Sequence, residues 1–331
     1  MKINHDIIRK STFIKNFKRL YNQRSIIGYF ANRFQWHYYP RFSYVRNYPI
    51  HVDIELSSHC QLNCPMCFRF HRKIENLGNM DFETFKTIID SISGKVYSIK
   101  FTGRGEPLMN KRFPDFLEYL KHSKFSEVAM ITNGLLMTDE IMHCVIDNNM
   151  DFISFSIDGL KDTYEKIRYP GKYEDIFDIV SRLHQLRMKK GKNKPLIRIQ
   201  SVNVSIEDED EYLTRWSPIS DDIFFLFYKD YSINAKNIQL DNYSCPLLYQ
   251  RMMIHYNGTV PMCINDEYED SIMGNILDDS IEKIWQENFA NSRKLNKKGL
   301  RVESFENCKK CSLTREGHGK NKTQNTKPGI N

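Results

Sequence analysis

Long hydrophobic runs are missing from this 331-residue chain. The longest apolar candidate, residues 223–228, is far shorter than the roughly 20 residues of a membrane-spanning helix. Residues 1–11 also lack the apolar core of a signal peptide. We therefore expect a cytoplasmic protein. Because nothing directs the chain to an oxidising compartment, the clustered ones among its eight cysteines are expected to bind metal rather than to form disulfides.

Acidic residues are almost absent from the first 50 positions. This segment has ten Lys or Arg and a single acid, Asp6, so it contributes +9 while the rest of the chain sums to −2. Its interleaved aromatic residues and basic charge fit an acidic membrane surface, a phosphorylated substrate or, less well, nucleic acid. The interpretation favoured by the sequence is an amphipathic extension that packs its aromatic side chains on the main domain and exposes its basic ones.

Strand and helix patterns alternate from residue 51 onward, which predicts parallel βαβ units. Strands are expected at residues 52–56, 98–102, 127–132, 152–156, 196–202 and 222–227, and helices at 82–92, 112–121, 138–148, 173–190 and 208–216. The predicted fold class is α/β, a partial (β/α)6 TIM-like barrel followed by a small α+β domain. In such barrels the working groups lie at the carboxyl ends of the strands.

Three cysteines follow the first predicted strand directly. Cys60, Cys64 and Cys67 have the spacing C-x3-C-x2-C. Three thiolates can hold an iron–sulfur cluster and leave one of its four irons without a protein ligand, which is a position for a small molecule. A structural zinc site that takes a fourth ligand from His59 or His71 is the alternative.

This cysteine loop resembles the signature of the radical S-adenosylmethionine (SAM) enzymes. In that family the three cysteines bind a [4Fe–4S] cluster, and its free iron chelates the amino and carboxylate groups of SAM. One electron from the cluster cleaves SAM to a 5′-deoxyadenosyl radical, which takes a hydrogen atom from an unactivated carbon. The resemblance implies a reducing partner such as flavodoxin or ferredoxin.

Further positions that resemble the family's SAM-binding motifs follow the next strands in order. After the second strand, Arg104, Gly105, Glu106 and Pro107 match its Gly-Gly-Glu-Pro motif, which recognises the SAM ammonium group. By the same resemblance, Thr132 and Asn133 after the third strand and Ser156 and Asp158 at the fourth are further expected SAM contacts. Arg168, on the next helix, is expected to bind the SAM carboxylate because of its forked guanidinium geometry.

Two positions depart from the family pattern. Arg104 replaces the first glycine of the motif, so its side chain is also a candidate to reach the substrate or a phosphate. Met66 stands where many members place an aromatic residue, and its polarizable sulfur can still pack on adenine.

A second cysteine set, Cys245, Cys263, Cys308 and Cys311, lies beyond the sixth strand. Asn257-Gly258 between two apolar runs predicts a type I′ hairpin that returns Cys263 towards Cys245, and a helix over residues 281–293 would close the domain. Spacing alone fits zinc and an iron–sulfur cluster equally. The arrangement resembles the shortened SPASM domain, called a twitch domain, which holds one auxiliary [4Fe–4S] cluster, and this resemblance favours the cluster.

These patterns divide the chain into four parts. They are a basic aromatic extension at residues 1–49, a radical SAM partial barrel at 50–235, a twitch-like cluster domain at 236–315 and a disordered polar tail at 316–331.

The cysteine count bears on the reaction. Four protein ligands leave an auxiliary cluster no open iron, so we expect it to accept an electron in a net oxidation of substrate. The eighth cysteine, Cys144, lies on an apolar helix pattern, which disfavours an epimerase that returns hydrogen from a thiol. The candidate bases are Tyr228, Lys229 and Asp230 after the sixth strand, with Arg198 and Gln200 to orient substrate.

The sequence leaves the substrate open among three hypotheses. The first is a radical SAM dehydrogenase of a sugar, aminocyclitol or nucleotide-linked sugar, to which the basic extension could offer a phosphate contact. The second is a radical SAM maturase of a ribosomally made peptide, although the first 50 residues are short for a leader-binding module. A zinc-stabilised protein that binds nucleic acid or a membrane is the third.

Overall fold

The computed structural model describes residues 26–202, 208–226, 244–309 and 311. Seven strands form one sheet in the order β6-β5-β4-β3-β2-β1-β7, with all neighbours parallel. The strands are β1 His51–Ile54, β2 Ser98–Phe101, β3 Glu127–Thr132, β4 Phe152–Ser156, β5 Leu196–Val202, β6 Asp222–Leu226 and β7 Arg251–Ile254. A separate antiparallel pair contains β8 Thr259–Pro261 and β9 Ile272–Asn275.

Helices connect the strands of the large sheet and build most of the C-terminal part. The α-helices of the described residues are Ile26–Phe42, Phe68–His71, Phe82–Ile92, Phe113–Leu120, Asp139–Asp147, Lys161–Ile167, Tyr173–Lys189, Glu209–Trp216, Leu247–Gln250, Ile281–Lys283, Ala290–Lys297, Arg301–Ser304 and Glu306–Lys309. Short 3-10 helices span Pro107–Met109 and Ser217–Ile219, and a π-helical turn spans Ile284–Asn288.

The six predicted strands and the α/β class are confirmed, with β1 beginning and ending slightly earlier than expected. Each strand buries one face under helices. Val52 and Ile54 of β1 are fully buried in the same core as Phe85 of the first connecting helix, and Phe85 stacks on Phe116 of the next helix at 4.4 Å between ring centroids. The helix that carries Phe85 begins at Asp81, whose Oδ1 accepts a hydrogen bond from Thr84 N at 2.8 Å.

The opposite face of the sheet, here called the polar face, carries charged and hydrogen-bonding side chains. Asp53 of β1 is completely buried there, and it accepts hydrogen bonds from Nε and Nη2 of Arg251, both at 2.7 Å. Lys100 Nζ lies 3.3 Å from Asp53 Oδ1. Burial alone would raise the pKa of the Asp53 carboxyl, but Arg251 and Lys100 hold it well below its usual range. This ion cluster ties β7 and β2 to β1.

The predicted hairpin around Asn257-Gly258 is wrong. β7 pairs with β1 in parallel, with His51 opposite Arg251, and β8 pairs with β9 instead of β7. The tight turn itself is present, since Gly258 has a φ of 83° and His255 N donates to Thr259 O at 2.8 Å. The Asn-Gly signal therefore predicted the turn correctly but not the strand pairing. β7 pairs with β1, where Arg251 binds Asp53.

The predicted terminal segments have mixed outcomes. Residues 281–293 are helical, although they pass through the π-helical turn. In the helix Ile26–Phe42, Trp36 lies against the domain as expected, but Phe30, Phe34 and Tyr38 are exposed, so the inward packing predicted for these aromatic side chains is wrong. The first 25 residues and the predicted tail at 316–331 lie outside the described residues. Within the described part of the chain, no helix combines the length and apolar character needed to cross a membrane.

Candidate functional site

The cysteine triplet occupies a loop between β1 and the short helix Phe68–His71. Cys67 N donates to Cys64 O at 3.0 Å, so the last two cysteines share one turn. Cys64 is buried, whereas Cys60 and Cys67 are half-buried. Burial raises the pKa of the Cys60 thiol to about 11 and raises the pKa of Cys64 and Cys67 as well. Such thiols lose their protons when they bind metal, so metal binding here would release protons.

The donor set, three thiols from one loop, suits the irons of an iron–sulfur cluster. Across the described ranges, no three Cys, His, Asp or Glu side chains are grouped closely enough to hold one ion. A zinc site needs such a group because its ligands all lie about 2.0–2.3 Å from the same ion. The cysteines of an iron–sulfur cluster bind different irons and therefore stand farther apart.

The loop after β2 lies directly against the cysteine loop. Glu106 N donates to His59 O at 2.7 Å. A Cβ atom on Gly105 would stand only 2.3 Å from that same carbonyl oxygen, so the close approach of the two backbones requires glycine. Pro107 follows and begins the 3-10 turn, in which Glu106 Oε1 accepts from Leu108 N at 3.2 Å.

Glu106 connects this loop to the end of β3. Its Oε1 accepts from Thr132 Oγ1 at 2.6 Å and its Oε2 accepts from Asn133 N at 2.7 Å. The side chain is 3% exposed, and this burial raises the pKa of the carboxyl. A cation bound beside Glu106 would lower that pKa again, because it stabilises the carboxylate. The side chain is therefore suited to bind an ammonium group.

One residue of the site was missed by the sequence reasoning. Gln61 stands between the first two cysteines, and its Nε2 donates to Asn133 Oδ1 at 2.9 Å. Asn133 Oδ1 also accepts from Leu135 N at 3.1 Å. The contact fixes the cysteine loop to the third strand end. No motif signals Gln61, because its role comes from a tertiary contact.

The fourth strand end contributes a buried carboxylate and an arginine. Asp158 is fully buried, and its Oδ1 accepts from Val202 N at 2.7 Å while its Oδ2 accepts from Arg168 Nε at 2.6 Å. The same guanidinium lies beside Cys64 and offsets part of the rise that burial gives the pKa of that thiol. Ser156 Oγ accepts from Gln200 Nε2 at 3.1 Å. The structure thus brings Asp158 and Arg168 beside the cysteine loop, where the half-buried Met66 also lies.

The side chain of Arg104 binds two carboxylates of the protein. Its Nε and Nη2 donate to the two carboxylate oxygens of Glu55 at 2.9 and 2.8 Å, and Nη1 lies 2.9 Å from Glu269 Oε1. Both the arginine and Glu55 are almost completely buried. The expectation that this guanidinium reaches the substrate or a phosphate is therefore not met, because two carboxylates of the protein already neutralise it.

The second cysteine set comes together in the C-terminal part of the chain. Cys245, Cys308 and Cys311 are buried and Cys263 is half-buried. Burial raises the pKa of the Cys263 thiol well above its usual value, and the other three cysteines lie close enough to raise it further. The predicted bases Tyr228, Lys229 and Asp230 lie outside the described residues.

Comparison with known families identifies the class. The radical SAM superfamily matches residues 54–199, and the SPASM iron–sulfur cluster-binding domain matches residues 245–312. The chain therefore contains a radical SAM domain followed by a C-terminal SPASM domain. The predicted cofactors, a [4Fe–4S] cluster with SAM and iron–sulfur in the C-terminal domain, are confirmed at the level of these families.

Two curated relatives differ in how much of the chain they match. The S-adenosyl-L-methionine-dependent 2-deoxy-scyllo-inosamine dehydrogenase of Niallia circulans is 24% identical over 273 residues, which cover 79% of this chain and 92% of that protein. The tungsten-containing aldehyde ferredoxin oxidoreductase cofactor-modifying protein of Pyrococcus furiosus is 30% identical over 155 residues, 46% of this chain. Only 43% of the Pyrococcus protein is covered.

Solved structures share the fold. BtrN in complex with AdoMet and 2-DOIA superposes with a TM-score of 0.56 at 19% identity, covering 79% of this chain and 91% of that chain. SuiB of Streptococcus suis bound to S-adenosylmethionine has a TM-score of 0.58 at 15% identity, covering 81% and 73%. Identities this low show a common fold and nothing finer.

The approach of the two loops at Gly105 gives a first prediction. Gly105→Ala should move the loop after β2 away from His59 and weaken SAM binding strongly, because its Cβ would clash with a backbone carbonyl. SAM affinity measured calorimetrically on the reconstituted protein tests this. Gly191→Ala is the control, since nothing lies within 4 Å of its Cβ position and the only cost there is the local backbone strain of a positive φ. Equal SAM affinity in both variants would contradict the prediction.

The buried ion pair of Arg104 gives a second prediction. Glu55→Gln should destabilise the protein by about 3–5 kcal/mol, because it leaves a buried guanidinium without its main counter-charge. The midpoint of urea unfolding measures the loss. Glu118→Gln removes the exposed partner of Lys121 and should leave the midpoint unchanged. A Glu55 variant that unfolds at the wild-type midpoint would show that the pair adds no stability.

Proposed function

We propose that the chain is a radical SAM dehydrogenase of a polar small molecule, namely a sugar, an aminocyclitol or a nucleotide-linked sugar. The observation that carries the proposal is the convergence of four cysteines in the C-terminal part. Four protein ligands fill a [4Fe–4S] cluster, which leaves it no position for substrate but allows it to accept an electron. Net removal of two electrons from substrate needs such an acceptor after the first hydrogen atom has gone.

The proposal assigns each cysteine set its own cluster. Cys60, Cys64 and Cys67 would hold the SAM cluster, and the second set, Cys245, Cys263, Cys308 and Cys311, would hold the auxiliary one. When bound, the first cluster with SAM supplies the hydrogen-abstracting radical and the second accepts the remaining electron. The residues of the chain then have three tasks: they orient SAM, bind substrate and remove a proton.

Orientation of SAM is proposed for the strand-end residues. Glu106 offers its buried carboxylate to the ammonium group, and Arg168 can exchange its contact with Cys64 for the SAM carboxylate once that thiolate binds iron. Asp158 holds the guanidinium in place during this exchange, because it keeps its own contact with Arg168 Nε. Thr132, Asn133 and Ser156 complete the proposed cofactor-binding set.

The polar face supports a hydrophilic substrate. Ser154 Oγ donates to Gln200 Oε1 at 2.9 Å, and Arg198 Nε donates to Asp222 Oδ2 at 3.0 Å. Gln200, Arg198 and Asp222 remain partly exposed. An apolar substrate pressed against these groups would leave some of them without water or partner, at a cost of about 1–3 kcal/mol each. A substrate rich in hydroxyl and amino groups could satisfy them.

The relatives favour the same class. The Niallia protein, whose name specifies dehydrogenation of an aminocyclitol, is matched over 92% of its length. A peptide maturase is the second candidate, favoured by the subtilosin biosynthesis protein AlbA of Bacillus subtilis, which is 34% identical but over only 28% of this chain. We infer that Tyr228, Lys229 or Asp230 supplies the base, and that a flavodoxin or ferredoxin reduces the SAM cluster.

Replacing one cysteine of either set should block a different step of the reaction. Cys60→Ala should abolish SAM cleavage, whereas Cys308→Ala should still form 5′-deoxyadenosine but give no oxidised product, because the electron has no acceptor. Anaerobic assays that quantify both compounds by chromatography test this. Wild-type protein should contain about eight irons, and each variant about four.

Cys144→Ala is the matched control, because Cys144 belongs to neither set and should retain both activities. Normal product formation by Cys308→Ala would overturn the electron-acceptor role. Zinc without sulfide in the wild-type protein would overturn the enzyme proposal altogether.

Gln200 provides a test of the substrate class. With sugars, aminocyclitols, nucleotide sugars and peptides offered in parallel, substrate-dependent 5′-deoxyadenosine identifies the class. Gln200→Leu should then raise the KM for the accepted substrate about tenfold, because one substrate hydrogen bond is lost. Slow SAM cleavage without substrate should stay unchanged. Gln35→Leu, on the N-terminal helix, is the control. Activity with peptides alone would replace the carbohydrate proposal by the maturase one.

A further inference from the structure

The N-terminal helix Ile26–Phe42 turns its apolar side to solvent. Residues spaced by three or four lie on one face of a helix. On that face stand the side chains that we call the apolar ridge, which are 40–83% exposed: Ile26, Ile27, Phe30, Phe34, Tyr38 and Phe42. Rings along the ridge stack on one another, with centroid distances of 4.8 Å for Phe34–Tyr38 and 6.3 Å for Tyr38–Phe42. The result is a continuous apolar strip about 25 Å long.

Contacts on the other side hold this helix to the protein. Gln250 Nε2 donates to Trp36 O at 2.7 Å, and the Trp36 ring meets His51 edge-on at 6.5 Å between centroids. Arg46 Nη1 donates to Gln35 Oε1 at 3.0 Å. The ridge is therefore the outward side of a docked helix. Large apolar patches that remain exposed on a folded protein mark interaction sites.

The basic charge near the apolar ridge favours a negatively charged partner. Residues 26–50 contain Arg33, Arg41 and Arg46 but no acid, and the 25 residues before them add seven Lys or Arg against Asp6. The guanidinium of Arg41 lies 5.5 Å from the centre of the Tyr38 ring, so basic charge reaches the ridge itself. A second copy of the chain would bring two segments of +9 together, which is unfavourable.

We propose that the apolar ridge docks on an anionic membrane surface. Apolar side chains on a helix lying flat in the headgroup region and flanking basic charge are the two signals that together give stable membrane attachment. Nucleic acid would satisfy the charge, but it would leave Ile26 and Ile27 without an apolar environment. The helix contacts the amino end of β1 through His51, whereas the cysteine loop follows the carboxyl end, so this docking leaves the SAM site uncovered. The inference does not depend on the proposed dehydrogenase activity.

Vesicle flotation with the full-length, cluster-loaded protein tests this proposal. The wild-type chain should float with phosphatidylcholine–phosphatidylglycerol vesicles, bind phosphatidylcholine alone much more weakly, and detach at high salt. The double variant Ile27→Ser and Phe34→Ser should lose at least about tenfold in membrane partitioning, because both side chains would otherwise bury apolar surface in lipid.

The control replaces two exposed apolar residues elsewhere, Met188→Ser and Leu277→Ser, and should float like wild type. Substrate-free SAM cleavage should be equal in all three proteins, which checks folding. The proposal is overturned if wild type fails to float with anionic vesicles at low salt, or if the ridge variant floats equally. It is also overturned if light scattering shows a dimer that only the ridge variant loses, or if the ridge instead binds single-stranded DNA.

Discussion

The guanidinium of Arg104, in the loop after β2, binds carboxylates from two other parts of the chain. Glu55, just past β1, accepts hydrogen bonds from Arg104 N, Nε and Nη2, while Glu269, between β8 and β9, pairs with Nη1. His255 Nδ1 contacts Glu269 at 2.6 Å. A buried ion pair is favourable only when its hydrogen bonds are satisfied, and this geometry provides that. The loop after β2 and the segment that carries the second cysteine set are thereby fixed against the same cation.

Both cysteine sets place an arginine beside a buried thiol. Burial raises the pKa of Cys64 and Cys308, the latter to about 12, whereas Arg168 and Arg301 lie beside them and favour the thiolate forms. An arginine cannot lose its proton in this range, so it offsets part of the negative charge that a cluster with thiolate ligands brings into the protein. Burial keeps the free thiols protonated, and the arginine lowers the electrostatic cost of loading them with iron and sulfide.

The sequence predicts those features that depend on order along the chain. The carboxyl ends of neighbouring parallel strands share one edge, so motifs that follow successive strands, such as Glu106 and Asn133, are bound to meet there, and they do. Features decided by distant partners escape local patterns. Arg251 is 198 positions from Asp53, and nothing near residue 251 signals that its strand joins β1. The side-chain direction of Arg104 depends in the same way on Glu269.

The polar side chains at the amino ends of the large sheet differ from those at the carboxyl ends in how fully they are paired. At the amino ends, the Asp53 carboxylate on the polar face is already neutralised by Arg251 and Lys100. Towards the carboxyl ends, Gln200 and the strand-end loops offer hydrogen bonds that are only partly used. The proposed membrane contact lies beside the amino ends of the strands. A docked protein would therefore keep the carboxyl ends and the cysteine loop in water, where SAM and an electron donor can reach them.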